Sequence, residues 1–205
     1  MKQFYSNINI IGGGLVGIAT AYTLSKLDYK ISILEKNPGY YKKKQTDHRT
    51  LAISEGTKIF FEKIGLWKDI NLHVQPIKKI TVVDRNLRNK LEFDNHRRSS
   101  NLGYIIKNKY LLETIYKKLK IKNNVRIFNN VNIRDLQVKE DSIITHLDNC
   151  SIVSDLNIAA DGKSSLTRKK FKTPIYKKLY NKKAFVITCE HTLDHESTAY
   201  EFFYK

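Results

Sequence analysis

The stretch Asn7-Ile8-Asn9-Ile10-Ile11-Gly12-Gly13-Gly14-Leu15-Val16-Gly17, running on to Lys30-Ile31-Ser32-Ile33-Leu34-Glu35, decides the fold. Residues 8–11 read as a short apolar strand. Three spaced glycines (Gly12, Gly14, Gly17) follow, then a helix over 15–26 and a β-rich strand over 30–34 that ends on an acid. This is a βαβ dinucleotide fingerprint.

Each position has a physical task. Gly12 permits the tight turn off the strand, Gly14 lets backbone approach a pyrophosphate, and Gly17 lets the helix lie against the sheet. The phosphates then meet free N–H groups at the positive end of the helix dipole. Glu35 falls eighteen residues after Gly17. A carboxylate at the tip of the second strand accepts both ribose hydroxyls and repels a 2'-phosphate, which favours FAD or NAD over NADP.

Working outward, the 205-residue chain is long enough for a substantial core, and 41% hydrophobic content with 11% aromatics is that of a globular protein. Cys150 and Cys189 are far apart, lack metal-ligand spacing and read as reduced, cytosolic residues. The first apolar stretch is broken by glycines, and no later stretch offers eighteen uninterrupted apolar residues, so neither a signal peptide nor a membrane span is expected. The net charge of +17 (37 basic, 20 acidic) is spread through Lys-rich clusters such as 42–44, 117–122 and 177–183. These read as solvated faces, with attraction to an anionic membrane surface as the second reading and no nucleic-acid role.

Residues 36–53 form a long polar connection carrying Pro38-Gly39 and Asp47-His-Arg49. A helix over 56–64 opens at Ser54 and stops at Gly65, and Trp67 beyond it is a core anchor. Alternating strands are expected over 77–84, 90–93 and 103–106. Asn108 then caps a helix over 109–120 whose Leu111, Leu112, Ile115, Tyr116 and Leu119 make one apolar face. Strands follow over 125–128, 131–138 and 142–147. A strand over 151–160 runs into Asp161-Gly162 and a short helix bearing Arg168, the place where a parallel sheet binds its ligand. Asp28 takes the left-handed position after the first helix, and two final strands cover 184–190 and 199–203. The six histidines show no ligand spacing; no metal site and no Ser/His/Asp or Cys/His catalytic set is expected.

The ordered set Gly12-x-Gly14-x-x-Gly17, Glu35, Asp47-x-Arg49-x-x-Ala52-x-Ser54, Gly103-Tyr-Ile-Ile-x-Asn108 and Ala160-Asp161-Gly162-x-x-Ser165-x-x-Arg168 resembles the class A flavoprotein aromatic hydroxylases. It is most similar to their ubiquinone-biosynthesis branch, the UbiH, UbiF and Coq6 type. The resemblance implies an α/β fold: a Rossmann-like FAD-binding domain of the GR2/PHBH type with an inserted antiparallel β-sheet substrate domain, truncated at the C-terminus. It divides the chain into 1–75 (FAD-binding βαβ and following segment), 76–102 (first part of the substrate sheet), 103–175 (return to the FAD-binding domain) and 176–205 (second sheet segment).

By the same resemblance Gly12, Gly14, Gly17 and Glu35 hold the ADP half of FAD, and Arg49 contacts the cofactor. Asp161 and Gly162 belong to a shared FAD and NAD(P)H motif supported by Arg168. Asn108 either faces the flavin or serves only as a helix cap. The implied activity is NAD(P)H- and O2-dependent hydroxylation of a polyprenylated phenol or quinol through a flavin hydroperoxide, so the cofactor carries the difficult chemistry. The implied location is the cytoplasm or the periphery of the inner membrane, and the implied partners beyond the substrate are a membrane surface or a ubiquinone-biosynthesis complex. The alternatives are a non-catalytic dinucleotide-binding fragment or split subunit that needs a C-terminal half, and an NAD-linked dehydrogenase or flavin-dependent prenyl reductase.

Overall fold

Strand β1 (Lys2–Ile11) carries the apolar run ahead of the glycines, and helix α1 (Leu15–Leu24) and strand β2 (Ile31–Glu35) complete the βαβ unit. The computed structural model describes residues 2–37, 48–84, 90–95 and 100–204. Pro38-Gly39, the 42–44 Lys cluster, Asp47 and the connections at 85–89 and 96–99 lie outside the described residues. Next come β3 (Thr50–Ser54), α2 (Glu55–Lys63), α3 (Trp67–Ile70), a 3-10 turn (Asn71–His73), β4 (Val74–Ile77), β5 (Lys79–Asp84), β6 (Lys90–Asp94) and β7 (Gly103–Lys107). Helix α4 (Asn108–Lys120) leads to β8 (Val125–Asn129), β9 (Ile133–Val138), β10 (Ile143–Leu147), β11 (Cys150–Ala159), α5 (Leu166–Lys170) and β12 (Thr198–Phe203).

The described residues fall into two compact units, one from 1–46 and 112–183, the other from 47–111 and 184–205. The sequence reading placed its divisions at 75/76, 102/103 and 175/176. Pairing accounts for part of the difference: β3 and β7 share a sheet, so the segment after residue 47 groups with the one before α4.

The first unit holds a six-stranded sheet in the order β8-β2-β1-β11-β10-β9. Its β8, β2, β1 and β11 are mutually parallel, and β11, β10 and β9 form an antiparallel meander. Every residue of β2 is buried, as a strand covered on both faces requires. The core is built from Ile10, Ile31, Ile33 and Ile152 of the sheet with Ile18 and Ala21 of α1. The apolar face read for α4 is buried at every position, Leu111, Leu112, Ile115, Tyr116 and Leu119. Each fully buried Leu or Ile stabilises by about 1.5–3 kcal/mol. Repulsion among Lys117, Lys118 and Lys120 in the last turn costs only a few tenths of a kcal/mol, roughly, and their charge also suits the helix dipole there.

In the second unit β3, β7 and β4 form one antiparallel sheet, and β12, β5 and β6 form another in which β12 runs parallel to β5. Trp67 anchors the first of these, its ring 4.9 Å from that of Tyr104 in an edge-to-face contact.

Three expectations are corrected. The polar connection over 36–53 contains a strand, β3, because Thr50-Leu-Ala-Ile53 finds a partner in β7. The apolar run over 184–190 is not a strand: no described strand pairs with it, and a ladder needs a partner. Asp28 is not a left-handed cap, since α1 stops earlier, with Ser25 in the right-handed region. The carbonyls beyond α1 are instead gathered by one side chain, Asn124, whose Nδ2 donates to the oxygens of Ser25, Leu27 and Tyr29 at 3.1, 3.2 and 3.0 Å. Asn124→Ala leaves these acceptors to water, and denaturant unfolding is expected to show a loss of about 0.5–1.5 kcal/mol.

Candidate functional site

The chain turns off β1 at Gly12, whose φ of 109° is open only to glycine in practice. Its N–H donates to Leu34 O at 2.8 Å, and Ala160 N–H donates to Ile11 O at 2.8 Å, so three strand ends meet at the turn. A Cβ on Gly12 would stand 2.3 Å from Ala160 O, and one on Gly17 would stand 1.9 Å from Gly12 O. Gly12 and Gly17 are therefore required by packing. Gly14 differs, because a Cβ there meets nothing within 4 Å. Its φ of −70° is ordinary, so what glycine contributes at this position is bare backbone facing open space.

Gly13, which the sequence reading passed over, is equally constrained. A Cβ there would lie 2.9 Å from the Cβ of Glu35. Its N–H donates to Glu35 Oε2 at 2.8 Å, while Asn37 donates to Oε1 through both its backbone N–H (2.8 Å) and Nδ2 (3.0 Å). The carboxylate expected to greet a ribose is thus also a clamp on the glycine turn. Three donors occupy a group with about four lone-pair sites, which leaves room for roughly one more hydrogen bond.

Gly12, Gly14, Glu35, Asp161 and Gly162 line one cavity of about 770 Å³, together with Ile11, Asn37, Val131, Arg134 and Ala160. Val131 and Arg134 come from the segment after β8, where no sequence motif marks them. Gly17 lies beneath the turn and does not line the cavity. Arg134 is held at the rim by Asp148, which also accepts from Asn132 Nδ2 at 3.1 Å. These contacts hold the Asp148 carboxyl below the usual range.

Asp161 has a structural task as well. Its Oδ2 accepts from Thr167 N–H at 3.0 Å, and Ser165 Oγ accepts from Arg168 N–H at 2.9 Å, so both cap α5. Arg168 Nη2 reaches back to Lys163 O at 2.6 Å and closes the turn. Burial pushes the Asp161 carboxyl up, but hydrogen bonds from Ser165 and Thr167 outweigh it and hold the group below its ordinary value. On the other side of Asp161-Gly162 a second cavity of about 470 Å³ is lined by Val16, Arg168, Phe171 and Thr173. Arg49 and Asn108 belong to the second unit, where Asn108 N–H donates to Arg49 O at 2.9 Å. Asn108 is the buried first residue of α4, inside the helix rather than before it.

The first cavity suits a dinucleotide. Helix α1 has no side-chain cap at Gly14 and no acid in its first turn, so the positive end of its dipole is left for an outside anion. The cavity volume is that of a cofactor site.

The FAD binding domain family matches residues 5–203. The chain belongs to that family. Within the FAD binding domain family it is 30% identical over 197 residues to the Drosophila melanogaster protein named "Ubiquinone biosynthesis monooxygenase COQ6, mitochondrial", covering 90% of this chain and 41% of that one. It is 24% identical to "Ubiquinone hydroxylase UbiM" of Neisseria meningitidis, covering 98% and 46%. The chain spans less than half the length of these relatives. Among solved structures, p-nitrophenol 4-monooxygenase PnpA of Pseudomonas putida superposes with a TM-score of 0.72 at 20% identity, covering 83% of this chain and 44% of that one. The α/β fold with a Rossmann-like FAD-binding domain stands as expected.

Two outcomes test the site. Glu35→Gln puts an amide NH2 against N–H donors, and a loss of about 1.5–3 kcal/mol is expected in denaturant unfolding. Because the Asp161 carboxyl sits below its ordinary value of 3.8, its contribution to stability is complete above that value and is lost as pH falls through the depressed one. Unfolding measured from pH 6 down to pH 3 should therefore fall more steeply for the parent than for Asp161→Asn.

Proposed function

We propose that this chain is the FAD-holding portion of an aromatic-ring monooxygenase that hydroxylates a polyprenylated phenol in ubiquinone biosynthesis. The observation that carries the reading is the cavity bounded by the glycine turn, Glu35 and Asp161-Gly162, in a chain whose relatives bear ubiquinone-hydroxylase names.

In this reading the free N–H groups of the first turn of α1, beside Gly14, take the pyrophosphate, and Glu35 accepts from the adenosine ribose with its remaining capacity. A 2'-phosphate would face that carboxylate and be repelled. Asp161 accepts from the ribityl chain while Gly162 permits close backbone approach, and Arg168 keeps the turn in shape. Arg49 and Asn108 are assigned to the cofactor by the family resemblance alone, with Asn108 serving equally well as part of the start of α4. FAD, when bound, supplies the redox and oxygen-transfer chemistry, with NAD(P)H as electron donor and O2 as co-substrate. No side chain of the chain is required as a nucleophile. A substrate with a prenyl tail resides in a bilayer, so the protein works at the periphery of a membrane; no helix among the described residues is long and apolar enough to cross one.

A second reading, a module that holds a dinucleotide without turnover of its own, draws on the same cavity.

Flavin absorbance after incubation with FAD and gel filtration tests the first step. The parent is expected to retain yellow flavin bands. Gly14→Val is expected to melt as the parent does yet bind FAD at least about a hundredfold more weakly, the loss of two phosphate hydrogen bonds of roughly 1.5 kcal/mol each. Gly17→Val, by contrast, is expected not to fold. Equal FAD affinity in Gly14→Val and the parent would remove the cavity from the proposal. NAD(P)H oxidation with prenylphenols by the same preparation separates the two readings.

A further inference from the structure

Residues 162–183 contain nine Lys and Arg and no Asp or Glu. They start at the Asp161-Gly162 turn, run through α5 and continue to residue 183 without regular structure. Large apolar side chains alternate with the charges and are exposed: Ile175 at 65%, Tyr176 at 92%, Leu179 at 71% and Tyr180 at 70%. Lys170 is paired with Asp135, and Lys178 stands over the ring of Tyr180 at 5.3 Å.

Charge alone describes a solvated face, and exposed apolar groups alone describe a surface waiting for protein. Their interleaving within one acid-free stretch narrows the choice. Tyr rings and short aliphatic groups settle at the level of lipid headgroups, where Lys side chains extend to phosphate. Each Lys held near an anionic surface raises the partition coefficient roughly fivefold. An acidic protein partner would match the charges but would leave four large apolar side chains facing a polar surface.

We propose that residues 172–183 dock this protein on an anionic phospholipid bilayer, with Lys177, Lys178, Lys182 and Lys183 meeting headgroup phosphates and Tyr176, Leu179 and Tyr180 entering the interface. The segment leaves the fold beside the second cavity, whose wall includes Phe171 and Thr173. Docking there brings that apolar-walled cavity to the lipid surface, where a prenylated phenol resides. The inference rests on the proposed substrate class for its purpose, while its test needs no turnover.

The experiment is co-sedimentation of the FAD-incubated chain with vesicles of phosphatidylcholine, with or without roughly 30% phosphatidylglycerol, in low and in physiological salt. The parent is expected to bind the anionic vesicles at least about tenfold more tightly than the neutral ones, with affinity falling as salt rises. The quadruple variant Lys177→Gln, Lys178→Gln, Lys182→Gln and Lys183→Gln should lose at least about tenfold on anionic vesicles. The triple variant Tyr176→Ser, Leu179→Ser and Tyr180→Ser should lose the part of binding that survives salt.

None of these residues lines either cavity, so flavin uptake reports that each variant is folded. In Tyr176→Trp, brominated acyl chains should quench emission beyond that seen in the parent, whose fluorescence comes from Trp67. Equal binding of parent and quadruple variant, or no added quenching in Tyr176→Trp, overturns the docking surface. Such a result with flavin still bound leaves the FAD-site reading intact, and the converse result separates the two in the other direction.

Discussion

Everything in the first unit depends on how closely backbone can approach backbone at the end of β1. The carbonyl of Gly12 lies where a side chain on Gly17 would have to go, and the carbonyl of Ala160 lies where one on Gly12 would go. That contact brings the ends of β1, β2 and β11 together around α1. Glu35 adds a buried carboxylate whose charge is spread over N–H donors from the turn and from Asn37. Burying a charge is costly unless it is hydrogen-bonded, and here the hydrogen bonds also shape the binding surface. A residue expected to read a ligand is holding up the wall against which the ligand lies.

Polar groups hold the other half of that sheet as well. Asn9 and Asn157 both donate to Thr145 Oγ1 at 3.1 Å, and Ser154 Oγ donates to Asn157 at 2.7 Å, so β1, β10 and β11 are tied by one buried network. Aliphatic residues in these positions would bury well in many registers. Hydrogen-bonded ones favour a single register, because slipping by one residue turns the whole set to the opposite face. The second unit depends more on rings, with Trp67 against Tyr104 and His73 stacked on Tyr110 at 4.6 Å.

Much of this was legible in the sequence because the signals are local. The strand, glycines, helix and acid of residues 8–35 follow one another within a single supersecondary unit, and the apolar face of α4 is set by its period alone. Asp161 and Gly162 were legible as a strand-end motif, and the structure puts them on the same cavity as Gly12 and Gly14. What escaped was non-local. Thr50-Leu-Ala-Ile53 is a strand only because Gly103–Lys107 lies beside it, and 184–190 has strand composition without a partner. The clamp role of Glu35, the constraint on Gly13 and the reach of Asn124 to three carbonyls depend on distances that no spacing in the sequence encodes. Arg134 and Val131 reach the cavity through the chain's return after β8, with no motif to announce them.

The register that puts Ile11 opposite Ala159 also governs when the protein can begin to work. The floor of the glycine turn is made far down the chain from the turn itself. A ribosome adding about 5–20 residues per second needs roughly seven to thirty seconds to travel from one to the other. Through that interval the nascent β1 carries its aliphatic residues without β11 along one edge, while β2 waits for β8 on its outer edge. Closing so long a loop is slow, so the earliest part of the chain to be made is among the last to be finished. Until the Asp161 turn has emerged, the edge of β1 that β11 covers in the finished sheet stands open in the nascent chain.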